Sequence, residues 1–141
     1  MLEVRAYVRG DIEAIAALTG APVAWQDGEG PEAFAGAGFT IWRGLQRVAC
    51  AGLCHIWGGR GYAWFVPGGL SKRDMVLVRR IMRHKLMDIG QNYGRIECHI
   101  LPDHPAHKSF AASLGFEFEA LLRKCAPGNV GDYELWGRIQ P

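Results

Sequence analysis

The stretch from residue 62 to residue 101 constrains the fold most. Residues 62–66 (YAWFV) form a short apolar run. Residues 71–89 then carry Met75, Val78, Met82, Leu86 and Ile89 on one stripe at helical spacing, with Gly90 beyond its end. Residues 95–101 (RIECHIL) alternate as a strand does, with Arg95, Glu97 and His99 on one face and Ile96, Cys98 and Ile100 on the other. A strand, a long helix and a second strand imply a crossover, so the two strands are expected to lie parallel.

The rest of the chain reads as short elements around that unit. Residues 2–8 alternate apolar and polar side chains as a strand, and Asp11 opens an amphipathic segment, DIEAIAALTG, stopped by Thr19 and Gly20. Residues 21–38 are rich in Gly, Pro and Ala and read as a loop with one short helix around 31–35. Residues 39–43 and 47–57 are two strands joined at Gly44, and Gly58-Gly59-Arg60-Gly61 is a turn into the strand at 62–66, which makes an antiparallel meander. Trp57 and Trp64 flank that turn and are candidates to pair across it. Residues 105–114 form a short helix closed by Gly115, where a positive φ is expected. Residues 116–124 and 133–139 are strands on either side of APGNVGD, and Phe116 and Phe118 are both assigned to the core. The expected class is therefore α+β (mixed α/β), a mostly antiparallel sheet with one parallel strand pair, flanked by helices, in a single domain over residues 1–141.

Composition narrows the function classes. With 49% hydrophobic and 21% charged residues the chain suits one packed core, and no apolar run approaches the roughly 20 residues that span a bilayer. Charges throughout the first 18 residues exclude a signal peptide or anchor, so a cytosolic location is expected. A formal charge of +2 argues against nucleic acid, although six Lys or Arg and His84 gather between Lys72 and Lys85 against Asp74 alone. That cluster suits a solvated helix face or a surface for a phosphate or an acidic partner. Cys50, Cys54, Cys98 and Cys125 lack C-x-x-C spacing and read as reduced cysteines, with no metal site expected.

The segment RIECHILPDHPAHKSFAASLGFEFEALLRK resembles the fifth strand, fourth helix and sixth strand of the GNAT superfamily of acyl-CoA N-acyltransferases. There a strand precedes a pattern near N-x-x-A-x-x-x-Y-x-x-x-G-F, matched here most closely at Leu114-Gly115-Phe116. LEVRAYVRGDIEAIAAL is similar to that family's opening strand and helix. The resemblance implies acetyl-CoA or another acyl-CoA as donor and an amine of a small molecule or protein as acceptor. It also implies that Phe65 and Val66 offer strand backbone to the pantetheine arm, while Gly68, Gly69, Leu70, Ser71, Lys72 and Arg73 meet the phosphates at a helix start. The family's loop reads R/Q-x-x-G-x-G/A. Here Ser71, Asp74 and Val76 occupy those places, and Ser71-Lys72-Arg73-Asp74 reads instead as an S-x-x-D capping box that satisfies its own helix end. Gly68 and Gly69 fit either a plain turn or a ligand-contacting loop.

Acyl transfer to an amine needs a base, a donor for the oxyanion and an acid for the leaving thiolate. Glu97 and His99, neighbours on one strand face, are the candidate bases; the alternative is a face that meets solvent or a neighbouring strand. His104 and His107 fill the family's Asn and Ala slots and are assigned to the pantetheine or acyl region, or else to an exposed helix start. Ala111 replaces the family's acid tyrosine, which leaves Tyr133 as a substitute. Three functions follow: an N-acyltransferase; a catalytically inactive GNAT-like binding or phage assembly protein, prophage- or virion-associated; and a nucleic-acid-binding domain, disfavoured because no aromatic-basic motif is present. An exposed final strand offers a route to a homodimer.

Overall fold

The computed structural model describes residues 1–19, 37–126 and 131–140. The helix expected at 31–35 lies outside them. Ten elements follow in the order β1 (Leu2–Ala6), α1 (Asp11–Thr19), β2 (Ala37–Arg43), β3 (Gln46–Trp57), β4 (Arg60–Pro67), α2 (Lys72–Gly90), β5 (Arg95–Ile100), α3 (Pro105–Ser113), β6 (Glu117–Leu122) and β7 (Tyr133–Ile139). The strands form one seven-stranded sheet in the order β1-β2-β3-β4-β5-β7-β6. The parallel pair is present as expected: Arg60, Gly61 and Tyr62 of β4 lie opposite Arg95, Ile96 and Glu97 of β5. The class is thus the mixed α+β fold expected from the sequence.

The chain packs as two compact units, residues 1–55 with 63–77 and residues 56–62 with 78–141. In the first, Ile12, Ile15 and Cys50 are buried together, with Tyr7, Trp64 and Val66 packed against them. One buried carboxylate ties three of its elements. Asp11, 1% exposed, accepts hydrogen bonds from the Thr40 hydroxyl of β2 (2.6 Å), from Arg47 Nε of β3 (2.6 Å) and from the Val8 backbone N–H (2.9 Å). Burial pushes its pKa up, but the donors outweigh that and hold it below the usual carboxylate value. The same bonds end β1 at Ala6 and not at residue 8, because the Val8 amide turns into the start of α1. β1 is also a sheet edge, so its alternating apolar face is not fully covered, and Val4 and Val8 are exposed. A bulge between Ile41 and Trp42 sets Trp42 opposite Arg47, whose guanidinium lies 4.6 Å over the indole. Trp64 packs edge-on against Tyr7, while Trp57 stands exposed under the Arg60 guanidinium, so the expected pairing of the two tryptophans is replaced by separate partners.

In the second unit the buried residues include Val78, Met82 and Leu86 from α2, Ile96 and Ile100 from β5, and Ala111, Leu114 and Phe116 around α3. α3 ends in a Schellman turn. Phe116 N–H donates to Ala111 O, Gly115 N–H donates to Ala112 O, and Gly115 sits at φ +93 as its position required. Two expectations are corrected. Phe118 is exposed, because a bulge between Phe118 and Ala120 breaks the alternation that assigned it to the core. The final strand is not the edge either: β7 lies between β5 and β6, which makes β6 the edge strand.

Asp11→Asn should lower stability by about 2–4 kcal/mol in urea unfolding, since Arg47 loses its anion and the shared oxygens change character. With the folded pKa depressed, this contribution is complete above about pH 4 and is lost as pH falls further. The urea midpoint should therefore drop below pH 4 in the wild-type chain and drop less in the variant.

Candidate active site

β5 carries the first cluster. Glu97, 4% exposed, accepts from Arg60 Nη2 (2.6 Å) and Nε (3.1 Å) and from Arg95 Nε (2.8 Å). Arg95 turns its two remaining nitrogens to Glu119, both at 2.8 Å. The four charges cancel. Burial raises the Glu97 pKa, yet the two guanidiniums outweigh it and hold the carboxyl below its ordinary value, while Arg95 is raised by its acids. Gly137 makes room for this: a Cβ there would stand 1.8 Å from Glu119 Oε2 and 2.9 Å from Arg95 Nη1. Glu119 is the extra residue of the β6 bulge, and that extra step aims its carboxylate over Gly137.

His99 lies two residues on, with the same side of the sheet. Its imidazole packs edge-on against the Tyr62 ring at 5.0 Å and tilted against the Tyr133 ring at 5.3 Å. Burial among these rings lowers its pKa and the Glu97 charge offsets that only in part, so the ring is neutral at pH 7. Burial also raises the Tyr133 phenol, which stays protonated. Cys98, on the opposite face, is pushed up to about 12 by burial first and the Glu97 charge second, and is inert as a nucleophile. The structure therefore brings together Glu97, His99 and Tyr133, all named from sequence, and adds Arg60 and Tyr62. These two were missed because residues 58–61 read as a turn, whereas the turn is Gly58-Gly59 alone. The parallel register places Arg60 and Tyr62 beside Arg95 and Glu97.

His104 and His107 stack on one another at the start of α3, centroids 4.9 Å apart and planes 12° apart, both exposed. His104 occupies the N-cap without a side-chain cap bond, and burial together with the neighbouring His104 lowers the His107 pKa. Ala111, in the slot of the missing acid, is buried.

The second cluster is the corner between β4 and α2. The expected capping box is present: Asp74 N–H donates to Ser71 Oγ (3.1 Å) and Ser71 N–H donates to Asp74 Oδ2 (3.0 Å). Arg43, which nothing local in the sequence signalled, pairs with the other Asp74 oxygen. Arg43 first and the Ser71 amide second hold Asp74 down at about 2, so it is an anion whose charge is already matched. Gly68 serves the chain itself. Its N–H donates to Val48 O at 2.7 Å, and a Cβ would lie 2.6 Å from that oxygen and 3.2 Å from Ile15. Leu70 N–H donates to Gly68 O, and Val66 packs on the core of the first unit. Phe65 and Leu70 are half-buried, while Gly69, Ser71, Lys72 and Arg73 are exposed. For an anion, this leaves the Gly69 backbone and the Lys72 and Arg73 side chains, a donor set suited to a phosphate, beside a carboxylate neutralised by Arg43.

Among the described residues, no group of three or more His, Cys, Asp or Glu is placed to hold a metal ion, and no helix is long and apolar enough to cross a membrane. On α2, Arg80, Arg83 and His84 are exposed, and Arg83 Nη2 donates to Ser113 O at 3.0 Å.

No protein-family profile matches the chain, and no curated protein matches it by sequence. Solved structures do match by shape. The ribosomal-protein-S18-alanine N-acetyltransferase of Escherichia coli aligns at TM-score 0.74 with 15% identity, covering 99% of this chain and 94% of that one. An N-acetyltransferase of Staphylococcus aureus Mu50 aligns at 0.73 with 13% identity, covering 99% and 97%. A mutant spermidine N-acetyltransferase of Vibrio cholerae aligns at 0.71 with 17% identity, covering 97% and 94%. At such identities the likeness is one of fold.

Gly68→Ala tests whether this glycine is structural. The added methyl meets a backbone oxygen that cannot rotate away, so unfolding should cost about 1–3 kcal/mol less than in the wild type by urea titration. Gly69→Ala, with open space around its Cβ, should change stability little.

Proposed function

We propose that this chain, whose fold is that of the GNAT N-acetyltransferases, transfers an acyl group from acetyl-CoA or another acyl-CoA to an amine of a small molecule or protein. The observation that carries this reading is His99, a neutral imidazole held between Tyr62 and Tyr133 beside a carboxylate that two arginines keep ionised. Bound acyl-CoA would supply the thioester carbonyl. His99 takes the proton of the incoming ammonium and so frees the amine lone pair for attack. Glu97 is too firmly held as an anion to be a good proton acceptor; its part is a fixed charge that offsets the burial of His99 and steadies the imidazolium. Tyr133, protonated throughout the neutral range, gives its phenolic proton to the departing thiolate, a role Ala111 cannot fill.

The corner holds the cofactor's other parts in this reading. The β4 backbone at Phe65 and Val66 meets the pantetheine arm, and the loop Gly68, Gly69, Leu70 and Ser71 leads to Lys72 and Arg73, which meet a phosphate. His104 and His107 are assigned to the acyl end. A second reading, a GNAT-like binding or assembly protein without catalysis, draws on one observation: the N–H groups of Gly68, Leu70, Ser71 and Asp74 are already bonded within the chain. A cytosolic location belongs to the first reading.

Titration with acetyl-CoA and CoA separates the two. Heat and a thermal shift are expected, weaker after Lys72→Ala and Arg73→Ala. Asp74→Gly, which frees the Ser71 amide and Arg43, should bind more tightly. Thiol release with spermidine and with an N-terminal alanine peptide as trial acceptors should fall on the order of 10²-fold in His99→Ala. In the wild type it should be lost as pH falls through a histidine pKa below about 6.5. Absence of any binding at millimolar acetyl-CoA would sink the enzymatic reading.

A further inference from the structure

β6 is an edge whose outward row of N–H and C=O groups has no neighbour in the sheet order, and it carries two large exposed apolar side chains, Phe118 (54%) and Leu121 (52%). Three residues apart on a regular strand, these would point to opposite faces. The bulge at Glu119 changes that: Phe118 lies opposite Trp136 and Leu121 opposite Glu134, and residues 134 and 136 share a face of β7. Both apolar side chains therefore stand on one face of the edge. Glu117, Ala120 and Leu122, opposite Gly137, Leu135 and Tyr133, stand on the other.

We propose that β6 pairs antiparallel with β6 of a second copy of this chain about a two-fold axis, with Phe118 opposite Leu121 of the second copy. Face matching selects this register. With Phe118 opposite Leu121, Glu117 falls opposite Leu122, and each pair joins residues of one face. A slip of one residue sets Phe118 against Leu122 or Ala120, on the wrong face. Charge supports the same direction. The strand begins with Glu117 and is followed by Arg123 and Lys124, so antiparallel pairing brings the acidic start of each copy to the basic end of the other. A parallel pairing would set like ends together. The other sheet edge is guarded differently: Glu3 and Arg5 of β1 are exposed and paired with each other, the kind of charge that discourages strand addition.

A pair of six-residue strands is a small interface, so the dimer is expected to exchange with monomer. Sedimentation equilibrium of the whole chain from about 1 to about 500 µM should show the mass rising from monomer toward dimer. Phe118→Lys and Leu121→Lys, at exposed positions, should each leave a folded monomer by circular dichroism and abolish the rise. The register is read by oxidative cross-linking in a Cys125→Ser background, which removes an exposed thiol. Phe118→Cys mixed with Leu121→Cys should give the cross-linked pair, while Phe118→Cys mixed with Ala120→Cys should give little. A wild-type mass that stays monomeric over the whole range, a dimer untouched by both lysine variants, or cross-linking through residue 120 as strong as through 121 would each overturn the proposal.

Discussion

A carboxylate removed from water needs partners, and that requirement organises both units of this chain. Asp11 is almost fully buried and gathers donors from β2, from β3 and from the turn before α1. Glu97 is almost as buried and gathers Arg60 and Arg95, which in turn hold Glu119. In both cases burial alone would raise the pKa, and in both the donors reverse the sign. Such compensation fixes geometry more than it adds net stability, because desolvation consumes most of the Coulombic gain. Each carboxylate joins elements that sequence neighbours do not join: Thr40 and Arg47 are far along the chain from Asp11, as is Arg60 from Glu97.

The same electrostatics separates structural from chemical groups. Asp11, Asp74, Glu97 and Glu119 are all driven toward the anion, so none is a ready proton acceptor at neutral pH. Cys54 and Cys98 are driven toward the thiol and are poor nucleophiles. His99 is shifted the other way from those acids, downward into the neutral base, and it is the group whose neighbours are aromatic rings and not formal counter-ions in direct contact. Chemistry therefore concentrates at one imidazole while the charged residues around it act as scaffold.

What the sequence made legible was local. The stripe of α2, the Ser71–Asp74 capping box and the positive φ at Gly115 each follow from residues within two turns of one another, and each is present. The parallel pair was legible as well, because a long helix between two strands leaves little topological choice. The losses were of two physical kinds. Long-range partners such as Arg43 for Asp74 leave no periodic trace, since one arginine on a strand looks like any other. Strand order in the sheet is also free of chain order, which is why the last strand lies inside and the one before it at the edge. At the site, Glu97, His99 and Tyr133 were visible from alternation and residue type. Arg60 was hidden inside a glycine-rich run that mimicked a longer turn.

Bulges account for the remaining differences, because parity is the sole link between a strand's sequence and its two faces. One extra residue flips every assignment beyond it. In β6 that extra residue is Glu119, and its insertion acts on both sides of the sheet. On one side it lowers a carboxylate onto Gly137, where Arg95 receives it and the charge network around Glu97 is completed. On the other it aligns Phe118 with Leu121, so that an apolar pair, and not an alternating edge, faces outward. Neither arrangement survives without the other. A regular β6 would move Glu119 away from Arg95 and would split Phe118 from Leu121. The inserted residue thus links the electrostatics of the β5 site to the chemistry of the sheet's outer edge, and any perturbation of that edge acts through Glu119 on the arginine that holds Glu97.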